Sequence, residues 1–215
     1  MIDFNIKDRF RRNLIQYTLK AFSTIPKIDH PLILDLGCGT GESTLALLEV
    51  CDGYAYAVDS DEKSLACFKE KAGLLNLSNR IKIVHDSALN TDLLDVRFDL
   101  IIAEGILNVI GFEKGLEIIM KLLKNHGYVI IHDELRDDEE KRISFERNDL
   151  KELAIFELDE TIWWNDYYAC LEKSIKSIDD STPFQNEIHE INEYKNNPEK
   201  FRSVFYVLKN HCTKS

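Results

Sequence analysis

The sequence predicts an α/β protein built on a doubly wound parallel sheet with helices on both faces. Between residues 32 and 134, short apolar runs rich in β-branched residues alternate with amphipathic segments of helical period. This alternation is typical of parallel strands joined by right-handed helical crossovers. A glycine-rich stretch, LDLGCGTGES at 34–43, follows the first apolar run. It occupies the position of the first strand-to-helix turn, where such sheets bind ligands.

Composition limits the kind of protein. A length of 215 residues is enough for one domain with a sizeable core. The formal net charge of −11 would repel a polyphosphate chain, which disfavours nucleic acid as a partner. No apolar run reaches membrane-spanning length, and the five cysteines include no CxxC pair. We therefore expect a cytoplasmic protein with reduced thiols and no membrane partner.

The elements follow from the pattern. Residues 5–22 place apolar side chains at loosely helical spacing and predict an N-terminal helix, with Pro26 and Pro31 in a linker. This segment, 1–31, precedes a domain that we expect to extend over 32–215. Within the alternating region the predicted strands are LILDL, AYAVD, IKIVHD, FDLIIAE and YVIIHDE. The predicted helices lie near 42–51, 62–75 and 112–124.

After Glu134 the pattern changes. A charged run at 137–142, DDEEKR, predicts a solvated loop. The elements expected beyond it are a short helix near 149–154, a strand IFEL at 155–158, an aromatic helix from about Thr161, a polar helix near 186–196 and a strand SVFYVLK at 203–209.

The glycine-rich stretch predicts a ligand that lies against the main chain. Gly37, Gly39 and Gly41 permit positive φ angles and leave no Cβ in the way of a ligand. A dinucleotide fingerprint would have a glycine where Glu42 stands, and this carboxylate would repel a pyrophosphate. A cationic ligand without phosphate meets no such objection.

Several motifs in order resemble those of class I S-adenosylmethionine-dependent methyltransferases. LDLGCGTGES resembles their glycine-rich first motif, and AVDSDEKSL at 57–65 resembles their second strand with its terminal acid. The later motifs of the family are similar to HDSALN at 85–90, FDLIIAEGILNVIGFEKGL at 98–116 and LLKNHGYVIIHDE at 122–134. Asn125 and His126 stand where the family has Pro-Gly. Beyond residue 134, WWNDYY and FYVLK are similar to a bacterial subgroup of small-molecule methyltransferases, most without an assigned substrate.

The resemblance implies a seven-stranded, Rossmann-like, mostly parallel sheet with IFEL and SVFYVLK as its last strands, the seventh antiparallel. It implies S-adenosylmethionine as cofactor and a nitrogen or oxygen atom of a small molecule as methyl acceptor. The cofactor contacts that it implies come from Asp35, Gly37, Cys38, Gly39, Asp59, Ser60, Asp86, Ser87 and Glu104. In this set the Asp59 carboxylate would accept both ribose hydroxyls and Asp86 would meet the adenine amino group. Cys38 is expected to serve as a small packing residue.

Residues at the acceptor side follow from the same resemblance. Glu104 ends the fourth strand beside the expected position of the methyl group. It is a general base, a group that attracts an amine acceptor, or only a ligand of the cofactor or a backbone amide. Trp163 and Tyr167 are one helical turn apart and would form a wall for the acceptor, unless they are core aromatics. The region 135–215 is expected to supply the substrate-side helices and the last strands.

Other interpretations remain open. His132, Asp133 and Glu134 alternate between the two faces of a strand, and no second HxE or HxxxH motif accompanies them, so we expect no metal site. Arginines 9, 11 and 12 would either reach the cofactor carboxylate or form a solvated face. A nicotinamide-dependent oxidoreductase and a non-enzymatic S-adenosylmethionine-binding module are the rival functions, and a homodimer is compatible with each.

Overall fold

One mixed sheet organises the computed structural model, which describes residues 6–90, 96–178 and 181–211 and so leaves out Cys212. Its strands are β1 (Leu32–Leu36), β2 (Tyr54–Asp59), β3 (Ile81–His85), β4 (Phe98–Glu104), β5 (Leu123–Glu134), β6 (Leu150–Leu158) and β7 (Ser203–Asn210). Within the described residues the sheet has seven strands in the order β3-β2-β1-β4-β5-β7-β6. Neighbours from β3 to β5 are parallel, whereas β7 is antiparallel to both β5 and β6. The predicted fold class, including the antiparallel last strand, is confirmed.

Helices connect and cover these strands. They are α1 (Ile6–Arg11), α2 (Ile15–Ser23), α3 (Glu42–Val50), α4 (Glu62–Leu74), α5 (Leu107–Ile110), α6 (Phe112–Leu122), α7 (Asp138–Arg147), α8 (Glu160–Trp163), α9 (Ala169–Lys176) and α10 (Gln185–Asn196). A π-helical turn, Trp164–Tyr168, joins α8 to α9. None of the helices in the described ranges combines the length and the apolar character needed to cross a bilayer.

The sheet has an apolar core on each face because successive strand residues point to opposite sides. Ile101 belongs to the core beneath α6, whereas Ile102 belongs to the core shared by α2, α3 and α4. Both side chains are fully buried. Since both faces of the central strands are covered, these strands are apolar along their whole length, which is the pattern that the sequence shows.

Two expectations after Glu134 are wrong. The run at 137–142 is not a solvated loop but leads into α7, which buries Phe145. The helix expected near 149–154 is the first half of β6. The pairing of β6 with β7 shifts register between Glu152 and Ala154, and the intervening Leu153 is exposed. This irregularity interrupts the period of two by which a strand is identified in sequence.

The turn after β1 predicts a specific stability effect. Gly41 precedes α3 at φ +79°, and a Cβ there would lie 2.3 Å from the Phe68 ring. Gly41→Ala should therefore lower the free energy of unfolding by about 2–4 kcal/mol, measured by urea denaturation. Gly73→Ala is the matched control, because its Cβ would meet only Ser78 Oγ at 3.9 Å within α4. Gly73→Ala should leave the free energy of unfolding unchanged or raise it. Equal stability of the two variants would contradict the close contact between Gly41 and Phe68.

Candidate active site

A cavity of about 730 Å³ lies at the carboxyl ends of β1 and β4. The chain order of the sheet reverses between these two strands, and open α/β sheets bind ligands at this point. The cavity is lined by the glycine loop after β1, the ends of β4 and β5, the N-terminal helices, and aromatic residues around the π turn.

The glycine loop is fixed to the end of β2. The amides of Gly37 and Cys38 both donate to the Val58 carbonyl oxygen, at 2.8 and 3.0 Å. The Gly39 amide donates to Asp59 Oδ2 at 2.7 Å. Among the described residues other than its chain neighbours, no heavy atom lies within 4 Å of the position that a Cβ on Gly39 would occupy. The loop is therefore held rigidly while its main chain faces open space.

Carboxylates dominate the electrostatics next to this loop. Asp59 Oδ1 accepts from the Asp61 amide at 2.8 Å, so Asp59 braces both the loop and the start of α4. Asp35, at the end of β1, accepts a hydrogen bond from the Thr44 hydroxyl. Burial raises the pKa of Asp35 to about 6, and the negative charge of Asp59 adds to this effect.

Glu104 ends β4 and is held by the N-terminal segment. Its Oε1 accepts from Thr18 Oγ1 of α2 at 2.9 Å. Burial and the charge of Asp35 raise the pKa of Glu104 to about 7, although hydrogen bonds from Thr18 and Ser43 act in the opposite direction. Near neutral pH this carboxyl group therefore exists in both protonation states, as a general base or acid requires.

His132 lies beside Glu104 on the neighbouring strand β5. Its Nδ1 is 4.0 Å from Glu104 Oε2, and its Nε2 is 2.8 Å from Ser203 Oγ. The same Ser203 oxygen accepts from Trp163 Nε1 at 3.0 Å. The imidazole also stacks on Phe205, with ring centroids 4.1 Å apart. Burial lowers the pKa of His132 to about 4, so the ring is neutral at physiological pH.

Aromatic side chains form the opposite wall of the cavity. Trp163, Tyr167 and Tyr168 line it, whereas Trp164 is not among the lining residues and stacks on Tyr194 with centroids 5.6 Å apart. Tyr167 is 1% exposed, and its hydroxyl forms no hydrogen bond of normal geometry with any described residue. Burial raises the pKa of Tyr167 to about 12, although the positive charge of Arg11 acts to lower it. Arg11 also interacts with this hydroxyl as a hydrogen-bond donor, although not at normal geometry, so the Tyr167 hydroxyl retains capacity to bond a ligand in the cavity.

Most of the residues expected at the site line this one cavity: Asp35, Gly37, Cys38, Gly39, Asp59, Glu104, Trp163 and Tyr167. Ser60, Asp86 and Ser87 are outside its lining. Asp86 follows β3 and accepts from the Ser87 amide at 2.7 Å. Burial and the charge of Asp35 raise the pKa of the Cys38 thiol, which makes it a poor nucleophile and agrees with a packing role.

Three contributors were missed by sequence reasoning: Thr18, Ser43 and Ser203. Each supplies a hydroxyl from a different part of the chain. Ser43 is the last residue of the glycine-rich motif, whereas Thr18 and Ser203 lie outside the motifs quoted above. The sequence presents His132 only as a candidate metal ligand. The signal that could have identified it is its position at the end of a central strand, next to Glu104.

Glu42 has a different role from the expected one. Its carboxylate pairs with Arg12 Nε at 2.8 Å and with Lys71 Nζ at 2.5 Å. Its charge is thus largely neutralised, and repulsion by Glu42 is a weaker argument against a pyrophosphate than the sequence suggested. Arg11 lines the cavity, whereas the paired Arg12 does not.

The neighbours His132, Asp133 and Glu134 do not converge. Asp133 pairs with Lys141 at 2.9 Å, and Glu134 pairs with Arg136 at 2.8 Å. Among the residues that the structure describes, no three histidine, cysteine, aspartate or glutamate side chains cluster as a metal site.

Comparisons with known proteins agree with this geometry. A family model described as a methyltransferase domain matches residues 33–127. The [4+2]-cyclase SpnF superimposes with a TM-score of 0.78 at 13% identity, over 91% of this chain and 81% of that protein. A SAM-dependent methyltransferase from Geobacter sulfurreducens, solved with S-adenosyl-L-homocysteine, gives 0.71 at 14% identity over 90% of each chain. Geranyl diphosphate C-methyltransferase from Streptomyces coelicolor A3(2) gives 0.69 at 12% identity, over 91% of this chain and 75% of that one.

No curated protein matches the chain. At these identities the solved structures establish the fold, while the model of a methyltransferase domain matches the glycine loop and the strands around it, within residues 33–127. The predicted resemblance to class I S-adenosylmethionine-dependent methyltransferases is confirmed.

The contact between α2 and Glu104 predicts a measurable pKa change. Thr18→Val removes a hydrogen bond that favours the ionised carboxylate, so the pKa of Glu104 should rise further above its value of about 7. Carbon NMR titration of the labelled glutamate side chain measures the change. Thr24→Val is the matched control, because the Thr24 hydroxyl bonds only to the Ala21 carbonyl. An unchanged Glu104 pKa in Thr18→Val would contradict the contact.

Proposed function

We propose that this protein, whose residues 33–127 match a methyltransferase domain, uses S-adenosylmethionine to methylate a nitrogen or oxygen atom of a small molecule. The main observation is one continuous cavity, with the glycine loop at one end and aromatic side chains at the other. Glu104 lies between the two ends. A cofactor against the loop and an acceptor against the aromatic wall would therefore meet beside this carboxyl group.

The residues around the loop fit a cationic cofactor. Asp35, Asp59 and Glu104 all line the cavity, and their negative charge favours a sulfonium ion over a pyrophosphate. Arg12 and Lys71 are already paired with Glu42, whereas Arg11 lines the cavity on the side of the N-terminal helices. The open space at Gly39 is suited to a ligand pressed against the main chain. This combination favours S-adenosylmethionine over a nicotinamide dinucleotide.

Individual roles follow from position and chemistry. S-adenosylmethionine supplies an electrophilic methyl group when bound. Asp59 would accept hydrogen bonds from the ribose hydroxyls, as the resemblance implies. Trp163 and Tyr167 would exclude water and contact the acceptor by stacking or cation–π interaction. Because methyl transfer is an in-line displacement, positioning in a dry site accounts for much of the acceleration.

The covering of the cavity supports a small acceptor. Helices α1 and α2 contribute residues to its lining, and so does the region around α8 and α10. An ion pair between Lys7 Nζ of α1 and Glu190 Oε2 of α10, at 2.6 Å, links these two covers. A cavity covered by helices in this way suits a small molecule better than a duplex or a folded protein.

A second function is use of the bound cofactor without methyl transfer. One observation favours it: the matched structures include a [4+2]-cyclase with this fold. Tight cofactor binding without any methylated product over a broad set of acceptors would support this alternative.

Calorimetry with S-adenosylmethionine, S-adenosylhomocysteine and NAD tests the cofactor. We expect the first two to bind and NAD not to bind. Asp59→Ala should abolish binding, because it removes the ribose acceptor and releases the Gly39 amide. Asp52→Ala, at the opposite end of β2, should bind like the parent protein. Binding of NAD alone would overturn the proposal.

Substitution of Glu104 tests its role in proton transfer. If Glu104 is a general base, Glu104→Gln should lower turnover by about 10²-fold or more and leave cofactor affinity within a few-fold. In the parent protein the rate should fall as the pH drops through about 7, because Glu104 becomes protonated. This fall in rate at low pH should be absent in Glu104→Gln. Unchanged turnover would exclude Glu104 from catalysis.

A further inference from the structure

The space between the Glu104 carboxylate and the His132 ring is large enough for one oxygen atom of a ligand. Glu104 Oε2 and His132 Nδ1 are 4.0 Å apart, at the ends of the adjacent strands β4 and β5. This separation is too long for a hydrogen bond. It does allow a single oxygen atom to lie about 2.8 Å from both atoms. Both side chains line the cavity, so the gap is open to a ligand.

A chain of hydrogen bonds favours one nitrogen of His132 as the site of the ring proton. The indole N–H of Trp163 can only donate, so Ser203 Oγ accepts from it. The Ser203 hydroxyl proton is then free for His132 Nε2, which lies 2.8 Å from the same oxygen. In the described residues Ser203 Oγ has no other hydrogen-bond partner. This arrangement favours Nε2 as the acceptor, which places the single proton of the neutral ring on Nδ1, the nitrogen that faces Glu104.

The orientation of this ring is fixed by its surroundings. His132 stacks on Phe205 at an interplanar angle of 5°. Burial keeps the ring neutral, since it lowers the pKa of His132 to about 4. His132 thus offers the cavity one N–H donor, and Glu104 offers it a proton acceptor.

We propose that the methyl acceptor is a hydroxyl group whose oxygen lies between His132 Nδ1–H and the Glu104 carboxylate. This inference rests on the proposed methyltransferase function and narrows its acceptor from nitrogen or oxygen to oxygen. A hydroxyl oxygen has two lone pairs, one to accept from His132 and one to attack the methyl group. A neutral amine nitrogen has one lone pair, which methyl transfer itself requires.

The transfer balances with these groups alone. One oxygen lone pair forms the O–CH₃ bond, the CH₃–S bond breaks with its electron pair on sulfur, and the hydroxyl proton passes to Glu104. The products are a methyl ether, a neutral thioether and a protonated carboxyl group that later releases its proton to water. A phenolic hydroxyl, with an ordinary pKa of about 10, is acidic enough for a base such as Glu104. The rings of Trp163 and Phe205 nearby also favour an aromatic acceptor.

The test is NMR of isotope-labelled histidine nitrogens in the full chain without cofactor, with His132→Phe identifying the His132 signals. We expect a protonated Nδ1 and an unprotonated Nε2. Phenol should shift the Nδ1 signal, and aniline at equal concentration should shift it much less. Phenol binding should weaken about tenfold in His132→Phe.

Variants of the hydrogen-bond chain test the positioning residues. Ser203→Ala and Trp163→Phe should move both nitrogen signals towards those of a tautomer mixture, whereas Ser144→Ala, at another buried serine, should not. A protonated Nε2 in the parent protein, or equal responses to phenol and aniline, would overturn the proposal. Since no cofactor is present, these outcomes are independent of whether S-adenosylmethionine binds.

Discussion

The burial of carboxylates at the ends of β1 and β4 is the constraint on which the rest of the site depends. Asp35 and Glu104 lie near each other, and the charge of Asp35 helps to raise the pKa of Glu104. Among the described residues, neither carboxylate forms an ion pair with a lysine or arginine. Burying such groups is costly unless hydrogen bonds compensate. The compensation comes from hydroxyl groups on α2 and α3. These helices are consequently placed by the polar site as well as by the apolar core.

This constraint explains the role of the N-terminal segment. In the sequence, residues before 32 form only a helix and a linker, without any motif. In the structure α2 supplies the Thr18 hydroxyl to Glu104, and Tyr17 donates to Asp166 of the π turn at 2.7 Å. The segment therefore connects the base of the cavity to its aromatic wall. A chain that lacked it would expose Glu104 to water and lose the environment that raises its pKa.

The sequence predicts those features whose residues lie close together along the chain. The parallel strands, the glycine loop and the terminal acids of β1, β2 and β4 are all visible within short windows, because strand burial and loop geometry impose their own residue types. The hydroxyl of Thr18 is 86 residues from Glu104, and that of Ser203 is 71 residues from His132. Nothing in the neighbouring sequence distinguishes Thr18 or Ser203 from other threonine and serine residues. The first half of β6 is not recognisable for a different reason. The register shift between Glu152 and Ala154 interrupts the alternation of apolar and polar residues by which a strand is identified.

The π turn at Trp164–Tyr168 also affects which sequence changes this protein can accept during evolution. Such a turn has one residue more than an α-helical turn, so losing one residue there would leave a continuous regular helix. A π turn and an α turn each complete about one rotation, so Trp163 and α9 would keep nearly the same relative orientation after the deletion. The indole N–H of Trp163 would still face Ser203. A single-codon deletion could therefore remove one side chain of the π turn in a descendant whose glycine loop, sheet and Trp163–Ser203 contact were inherited unchanged.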